Sequence, residues 1–209
     1  MKKYMDMLKK KLYFNKNLFV FLFVLVIVGL FSGALFSIII SDCDKKMVTD
    51  YLNDFLFSLS KEKISFETSF LYNLIFTLGF ALVIWIFGIS IIGIFLVLPF
   101  LFLKSFILGF SVGSILVNFK FKGVILSLIY VVPHNVINLL IFILICAYSI
   151  MISYRLFNCM KKRKNFDFKL FMSKYSFVLL FSLIILFITS FYETFILPFV
   201  LKFIFSFIK

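Results

Sequence analysis

The sequence contains few of the side chains from which catalytic and metal sites are built. Its 209 residues include one histidine and nine acidic residues. No HExxH, GxSxG or glycine-rich phosphate-loop motif occurs. The three cysteines have no metal-ligand spacing and suggest no disulfide framework; they are Cys43, Cys146 and Cys159. We therefore expect no catalytic residue, no metal site and no cofactor, and we do not expect an enzyme.

Apolar side chains dominate the composition. Hydrophobic residues form 64% of the chain, phenylalanine occurs 34 times and the mean hydropathy is +1.16. Soluble domains are about 45–50% apolar, so this composition predicts an all-α, polytopic membrane protein. The net charge of +13 does not indicate nucleic-acid binding, because the basic residues cluster beside apolar segments, where membrane orientation and anionic headgroups account for them.

The apolar segments predict about five transmembrane helices, because a helix needs roughly 20 apolar residues to cross the bilayer core. The run 68–119 is too long for one crossing and predicts a hairpin that turns near Ile89–Gly93. Residues 18–209 are interpreted as a single transmembrane domain. Its spans are 18–40, the two arms of the 68–119 hairpin, 124–154 and 175–201.

The fourth apolar segment contains an interruption, Pro133-His134-Asn135. Proline removes a backbone hydrogen bond and clashes with the preceding turn, so we expect this span to be kinked or broken near its middle. The side chains of His134, Asn135 and Asn138 are available to pair the freed backbone groups.

Basic residues predict the orientation. The N-terminal segment 1–17 contains six lysines, and the loop 155–174 contains seven basic residues. Both segments are therefore predicted to be cytoplasmic, which leaves the 41–67 loop and the C-terminus extracytoplasmic. Two lysines in the short outer break 118–123, Lys120 and Lys122, run against this rule.

The outer segment 41–67 predicts an amphipathic helix, with apolar residues at helical spacing opposite Asp50, Asn53 and Asp54. Such a helix can lie on the headgroups, pack on the protein's own spans or dock a partner helix. The docking candidates on its apolar side are Tyr51, Leu52, Phe55 and Leu56.

Two sets of small residues recur every four positions within the spans. They are Gly29 and Gly33, continued by Ser37, in the first span and Ser105, Gly109 and Gly113 in the third. Such faces allow helices to approach closely, although glycines can also be merely tolerated in lipid.

Three ionisable residues lie within spans: Lys104, His134 and Glu193. Each is expected to face protein or water and to have a partner. Lys104 and Glu193 have opposite charges and are the expected pair. A proton or substrate path is one interpretation. The other is an ion pair and a capped helix break that hold the bundle together.

The order of these features resembles the stage II sporulation protein M family. The resemblance lies in LKSFILGFSVG at 103–113, PHNVI at 133–137 and YETFILP at 192–198, after a basic start and an outer amphipathic helix. In the wider family a glutamate often follows the histidine by four residues, whereas this chain has Asn138.

The resemblance implies a non-enzymatic scaffold in the mother-cell septal and engulfing membrane. It would anchor and position two types of peptidoglycan hydrolase, lytic transglycosylase and amidase, while the forespore is engulfed. The alternative is a transporter or permease subunit that uses Lys104, His134 and Glu193. Self-association into a homo-oligomer stays open.

Overall fold

The computed structural model describes residues 16–60, 66–90, 92–162 and 168–200. Most of the predicted basic start, 1–17, and the C-terminal residues 201–209 therefore lie outside the described residues. The described parts are helical and contain no strand, and five helices are long and apolar enough to cross a membrane. The predicted fold class is confirmed. The elements are α1 (Lys16–Ile39), α2 (Asp42–Ser60), α3 (Phe66–Ile89), α4 (Gly93–Leu126), a π-helical turn (Ser127–Val131), α5 (Val132–Lys162), α6 (Phe168–Phe191) and a second π-helical turn (Tyr192–Ile196).

The predicted hairpin joins α3 to α4 through a tight turn at the expected place. The Ser90 amide donates to the Phe87 carbonyl at 3.0 Å, and the Gly93 amide donates to the Ser90 carbonyl at 3.1 Å. A Cβ at Gly93 would overlap the Phe87 carbonyl, so the chain can turn this sharply only with glycine there. From α5, the Ser153 hydroxyl donates to the carbonyls of Gly88 at 2.9 Å and Ser90 at 2.8 Å. The turn is thereby fastened to the bundle.

The chain reverses again at Lys120, inside the predicted outer break 118–123. Lys120 has φ 48° and ψ −126°, and two helical segments meet there. After the reversal, Gly123 comes so close to Ile115 that a Cβ would overlap its carbonyl oxygen. These angles match the first central position of a type II′ turn, which glycine usually occupies. For a lysine they imply backbone strain of about 1–3 kcal/mol.

The fourth span is irregular, as predicted, and the irregularity is the π-helical turn Ser127–Val131. This turn ends two residues before Pro133, and the second one, Tyr192–Ile196, ends two residues before Pro198. A widened turn shifts the carbonyl with which the proline ring would otherwise clash. Asn135 Nδ2 donates to the Val131 carbonyl at 2.9 Å. One of the predicted side chains therefore pairs a carbonyl beside the break.

The two small-residue faces lie against each other between α1 and α4. Gly29 and Gly33 lie next to Ser105 and Phe106, while Gly109 and Gly113 lie next to Leu30 and Ser37. Residue numbers increase in the same direction along both helices, so α1 and α4 are parallel. The start of α1 is thus at the same end of the bundle as the α3–α4 turn. A Cβ at any of these glycines would overlap its neighbour, so their absent side chains are required for the contact.

The central helix is α5, which packs against α3, α4 and α6. Of its span, 67% is buried, compared with at most 33% of any other span. Its buried side chains include Phe142, Ile145, Cys146 and Ala147. Beyond the membrane region, α5 continues to Lys162 and α6 begins at Phe168, so helix extends into the predicted 155–174 loop. This stretch contains no glycine or proline and is rich in lysine and arginine, which favour helix.

At the α3–α4 turn end of the bundle, Tyr175 connects three helices. Its hydroxyl lies 2.6 Å from Ser149 Oγ and donates to the Trp85 carbonyl at 2.9 Å, while its ring stacks on Trp85 with centroids 5.3 Å apart. We expect Tyr175→Phe to lower the free energy of unfolding by about 1–3 kcal/mol, because buried partners lose their hydrogen bonds. The control is Tyr154→Phe, at a side chain that is 59% exposed. Thermal unfolding in detergent measures both, and equal melting temperatures would contradict the role of the hydroxyl.

Candidate functional site

Polar side chains of three helices and the second π-helical turn converge where α5 begins and α6 ends. We call this group the polar cluster. It comprises Asn73 and Thr77 of α3, His134, Asn135 and Asn138 of α5, Thr189 of α6, and Glu193 of the second π-helical turn. Each π-helical turn that carries or adjoins these residues precedes a proline, Pro133 or Pro198.

Glu193 is the centre of the polar cluster. Asn73 Nδ2 donates to Glu193 Oε2 at 2.7 Å, and His134 Nε2 lies 3.6 Å from Glu193 Oε1. Thr77 supports this arrangement by donating to Asn73 Oδ1 at 3.2 Å. The His134 side chain is only 3% exposed, whereas that of Glu193 is 29% exposed. Glu193 thus joins α3 to α5 and keeps one open side.

The His134 ring has a second polar neighbour, since Asn135 Nδ2 lies 2.9 Å from His134 Nε2. The same Nδ2 donates to the Val131 carbonyl, so the other Asn135 hydrogen can point at the ring nitrogen. In the tautomer that carries its proton on Nδ1, His134 Nε2 acts as the acceptor of this hydrogen. A proton on Nε2 would instead favour Glu193 as its partner and would displace the Asn135 amide. His134 Nε2 thus lies between an amide and a carboxylate, and the tautomer of the ring decides with which of them it pairs.

One helical turn further along α5, the polar cluster continues with a buried hydrogen bond to α6. Thr189 Oγ1 donates to Asn138 Oδ1 at 2.6 Å. Asn138 occupies the position at which the resemblance leads one to expect a glutamate. Here a neutral amide pairs with a neutral hydroxyl, so the deeper part of the polar cluster contains no charge.

The predicted contact between Lys104 and Glu193 is wrong. Among the described residues, the titratable neighbour of Glu193 is His134, whose Nε2 lies 3.6 Å from Oε1, and Lys104 has no carboxylate within 4.0 Å. Lys104 Nζ instead lies among three phenylalanine rings, 5.4 Å from the centroid of Phe80, 5.5 Å from that of Phe142 and 5.7 Å from that of Phe76. Lys104 and Glu193 therefore attract each other only as charges at longer range, without direct contact.

The aromatic surroundings explain how Lys104 is tolerated. A desolvated cation–π interaction contributes about 2 kcal/mol or more, and a lysine at the helix centre costs about 2.5–3.5 kcal/mol on insertion scales. The two terms nearly offset each other without a carboxylate. Glu193 lies closer to the end of its span and finds a nearer partner in His134.

Helix α2 lies at the end of the bundle where the chain reverses at Lys120. Its first turn is capped by Ser41 Oγ, which accepts from the Asp44 amide at 3.2 Å. Thr49 Oγ1 donates to Asn118 Oδ1 at 2.5 Å and connects α2 to α4. Tyr51 is 73% exposed, and Leu52 is half-buried. The side chains of Phe55 and Leu56 lie outside the described residues.

Sequence reasoning missed three members of the polar cluster: Asn73, Thr77 and Thr189. A signal for the first two exists, because an asparagine followed four residues later by a threonine on one helix face is unusual within an apolar run. Thr189 has no such signal, since isolated threonines are common in transmembrane helices. No three His, Cys, Asp or Glu side chains converge within the described ranges.

Comparison with known proteins gives one family match. Residues 19–198 match the family described as Stage II sporulation protein M. No curated protein and no solved structure matches the chain. The matched residues include α2, the hairpin of α3 and α4, both π-helical turns and every member of the polar cluster. This membrane protein therefore belongs to the stage II sporulation protein M family.

Proposed function

We propose that this protein is a non-enzymatic membrane scaffold that anchors and positions peptidoglycan hydrolases during engulfment of the forespore. Its partners would be a lytic transglycosylase and an amidase, both at the outer face of the septal and engulfing membrane. Membership of the sporulation family supports the setting. The observation that carries the scaffold role is a pair of exposed apolar side chains on α2.

Two large apolar side chains on α2 are exposed one helical turn apart. Met47 is 66% exposed and Tyr51 is 73% exposed, beside the half-buried Leu52. They lie on a short helix outside the long spans, so the hydrocarbon core does not account for them. Exposed apolar residues at i and i+4 are the anchors by which one helix docks in the groove of another protein. The predicted topology puts this helix on the side where cell wall lies.

The rest of the bundle suits an anchoring role. Close packing joins α1 to α4 through their small residues. The hydrogen bonds of Tyr175 and Ser153 connect α3, α5 and α6, so all five spans form one framework. A rigid bundle holds a docked partner at a defined height above the membrane. It also loses little conformational entropy when the partner binds.

Substitution of the exposed pair tests the docking role. We expect Met47→Asp with Tyr51→Asp to reduce co-purification of a transglycosylase-type or amidase-type hydrolase more than tenfold. Each large apolar side chain contributes about 1.5–3 kcal/mol on burial, and 1.4 kcal/mol is tenfold in affinity. The measurement is quantitative pull-down of the tagged full-length chain from detergent extracts of sporulating cells.

A matched control separates docking from charge. Lys46→Gln with Asn53→Asp changes the net charge of α2 by the same amount at two exposed residues, and it should retain partner binding. Undiminished binding by the apolar-side variant, or equal losses in both variants, would contradict the proposal. Loss of the protein itself would instead show that α2 stabilises its own bundle.

The polar cluster favours a second candidate, a transporter or permease subunit. His134 Nε2 has both an amide and a carboxylate within reach, and Glu193 keeps an open side. A proton-linked pathway needs groups of this kind at membrane depth. Lys104, which the sequence grouped with them, lies apart among phenylalanine rings. The two candidates make opposite predictions for the His134→Leu, Glu193→Gln double variant.

A further inference from the structure

The reversal at Lys120, between the third and fourth spans, carries a short basic and aromatic sequence at its tip. We call Lys120, Phe121 and Lys122 the outer turn. Both lysines are exposed, and Phe121 is 78% exposed, the highest value among the large hydrophobic side chains of the described residues. In the part of the chain that the structure describes, neither lysine forms an ion pair.

The outer turn lies at headgroup height. The helix from Gly93 to Phe119 rises about 40 Å at 1.5 Å per residue. The hydrocarbon core is about 30 Å thick, and the headgroup region adds roughly 5–7 Å on each side. A helix that starts at one border of the core therefore brings Lys120 to the headgroups of the opposite leaflet. The hydrogen bond from Thr49 to Asn118 holds α2 at the same level.

Neither the backbone conformation of the outer turn nor the predicted membrane orientation explains why it contains lysines. Lys120 has backbone angles that glycine adopts without strain. Both lysines are also on the predicted outer side, where the orientation rule disfavours basic residues. A lysine that is strained, exposed and on the disfavoured side points to an interaction of its side chain.

We propose that the outer turn binds an anionic phospholipid of the outer leaflet. The ammonium groups of Lys120 and Lys122 flank the headgroup phosphate, and the Phe121 ring enters the boundary between headgroups and acyl chains. Basic residues near a membrane surface are attracted to anionic lipid, and aromatic rings prefer the same depth. This site is independent of partner docking on α2.

The test uses the purified full-length chain in detergent, with added phosphatidylglycerol or phosphatidylcholine. We expect phosphatidylglycerol to raise the melting temperature and phosphatidylcholine to have little effect. Lys122→Gln should lose most of the phosphatidylglycerol shift. Lys46→Gln, which removes an exposed lysine of α2, should keep it. A full shift in Lys122→Gln, or equal shifts with the two lipids, would overturn the proposal.

Lys120→Gly provides a sharper test, because it should move two observables in opposite directions. Without lipid its melting temperature should rise, since the strain at φ 48° is removed. Its response to phosphatidylglycerol should fall, since a cation is lost. A variant that keeps the full lipid response would overturn the role of Lys120.

A last pair of measurements distinguishes a lipid ligand from a soluble phosphate ligand. Glycerol phosphate shares the headgroup chemistry but has no acyl chains, so it should not reproduce the shift. Phe121→Ser should weaken the response to phosphatidylglycerol. If glycerol phosphate gives the same shift and Phe121→Ser responds fully, the ligand is a free phosphate and the lipid assignment is wrong.

Discussion

Gly109→Ala is expected to destabilise the protein strongly by forcing α1 away from α4. A Cβ at Gly109 would overlap the carbonyl oxygen of Leu30, and the atoms next closest to it also belong to the Leu30 backbone. A side chain could rotate away from an added methyl group, whereas two packed backbones must separate. Overpacking a well-packed interior costs about 1–3 kcal/mol, and a clash between backbones belongs at the upper end or beyond.

The same contact can be tested from the other helix. A Cβ at Gly33 would overlap the Phe106 carbonyl oxygen, so Gly33→Ala should have a comparable effect. Gly79→Ala is the control, because beyond the adjoining backbone of its own helix nothing lies within 4 Å of the added Cβ. That variant should be neutral or slightly stabilised, since alanine favours helix by about 1 kcal/mol over glycine. Thermal unfolding in detergent compares the three, and a Gly109→Ala protein as stable as Gly79→Ala would refute the close contact.

This contact also bears on self-association. Exposed small-residue faces in membranes are often sites of helix dimerisation. Here the faces of α1 and α4 are already used within one chain, with Gly29, Gly33, Gly109 and Gly113 covered by the opposite helix. A homo-oligomer formed through them would first have to displace α1. Any self-association should therefore use another surface.

The sequence predicts most of the fold because its signals are local. The length of each apolar run determines the number of spans, and Gly93 determines the α3–α4 turn. The four-residue spacing of small residues identifies the faces of α1 and α4 that meet. The form of the helix breaks was less predictable. Pro133 indicates an interruption, but its form as a widened turn depends on how Asn135 and the neighbouring helices satisfy the freed carbonyls.

The pairing of the polar residues depends on non-local geometry. Charge alone selects Lys104 as the partner of Glu193, whereas helix rotation and depth bring Glu193 to His134 and Asn73. A single sequence contains no direct information on these two quantities. The resemblance did identify the segments 133–137 and 192–198, which supply His134, Asn135 and Glu193. It gave no indication of Asn73, because that residue lies in neither segment.

Single substitutions at His134 and Glu193 are expected to be destabilising but unequal. His134→Leu leaves the charged Glu193 carboxylate with Asn73 alone, and a buried group that loses its partner costs about 1–3 kcal/mol, more when it is charged. Glu193→Gln keeps an acceptor for Asn73 and removes only the charge, so about 1–3 kcal/mol is expected. The double variant should be more stable than the sum of the losses predicts, with a coupling of about 0.5–3 kcal/mol.

Lys104→Met, combined with Glu193→Gln, provides a second double-mutant cycle with which the first coupling can be compared. Lys104 contacts phenylalanine rings and Glu193 contacts Asn73 and His134, so the coupling of Lys104 with Glu193 should be much smaller than that of His134 with Glu193. Melting temperatures of the single and double variants in detergent measure both couplings. A larger coupling for Lys104 would mean that the lysine, and not the histidine, neutralises Glu193.

The His134→Leu, Glu193→Gln double variant also separates the two candidate functions. If the polar cluster serves only to join α3, α5 and α6, a double variant that regains stability should still co-purify the wall hydrolases and support engulfment. If the polar cluster carries a proton, the same variant should be folded, membrane-inserted and inactive, because the groups that exchange the proton are gone. Partner retention together with engulfment in cells therefore supports the scaffold, whereas retained folding and partner binding with lost engulfment would support the pathway.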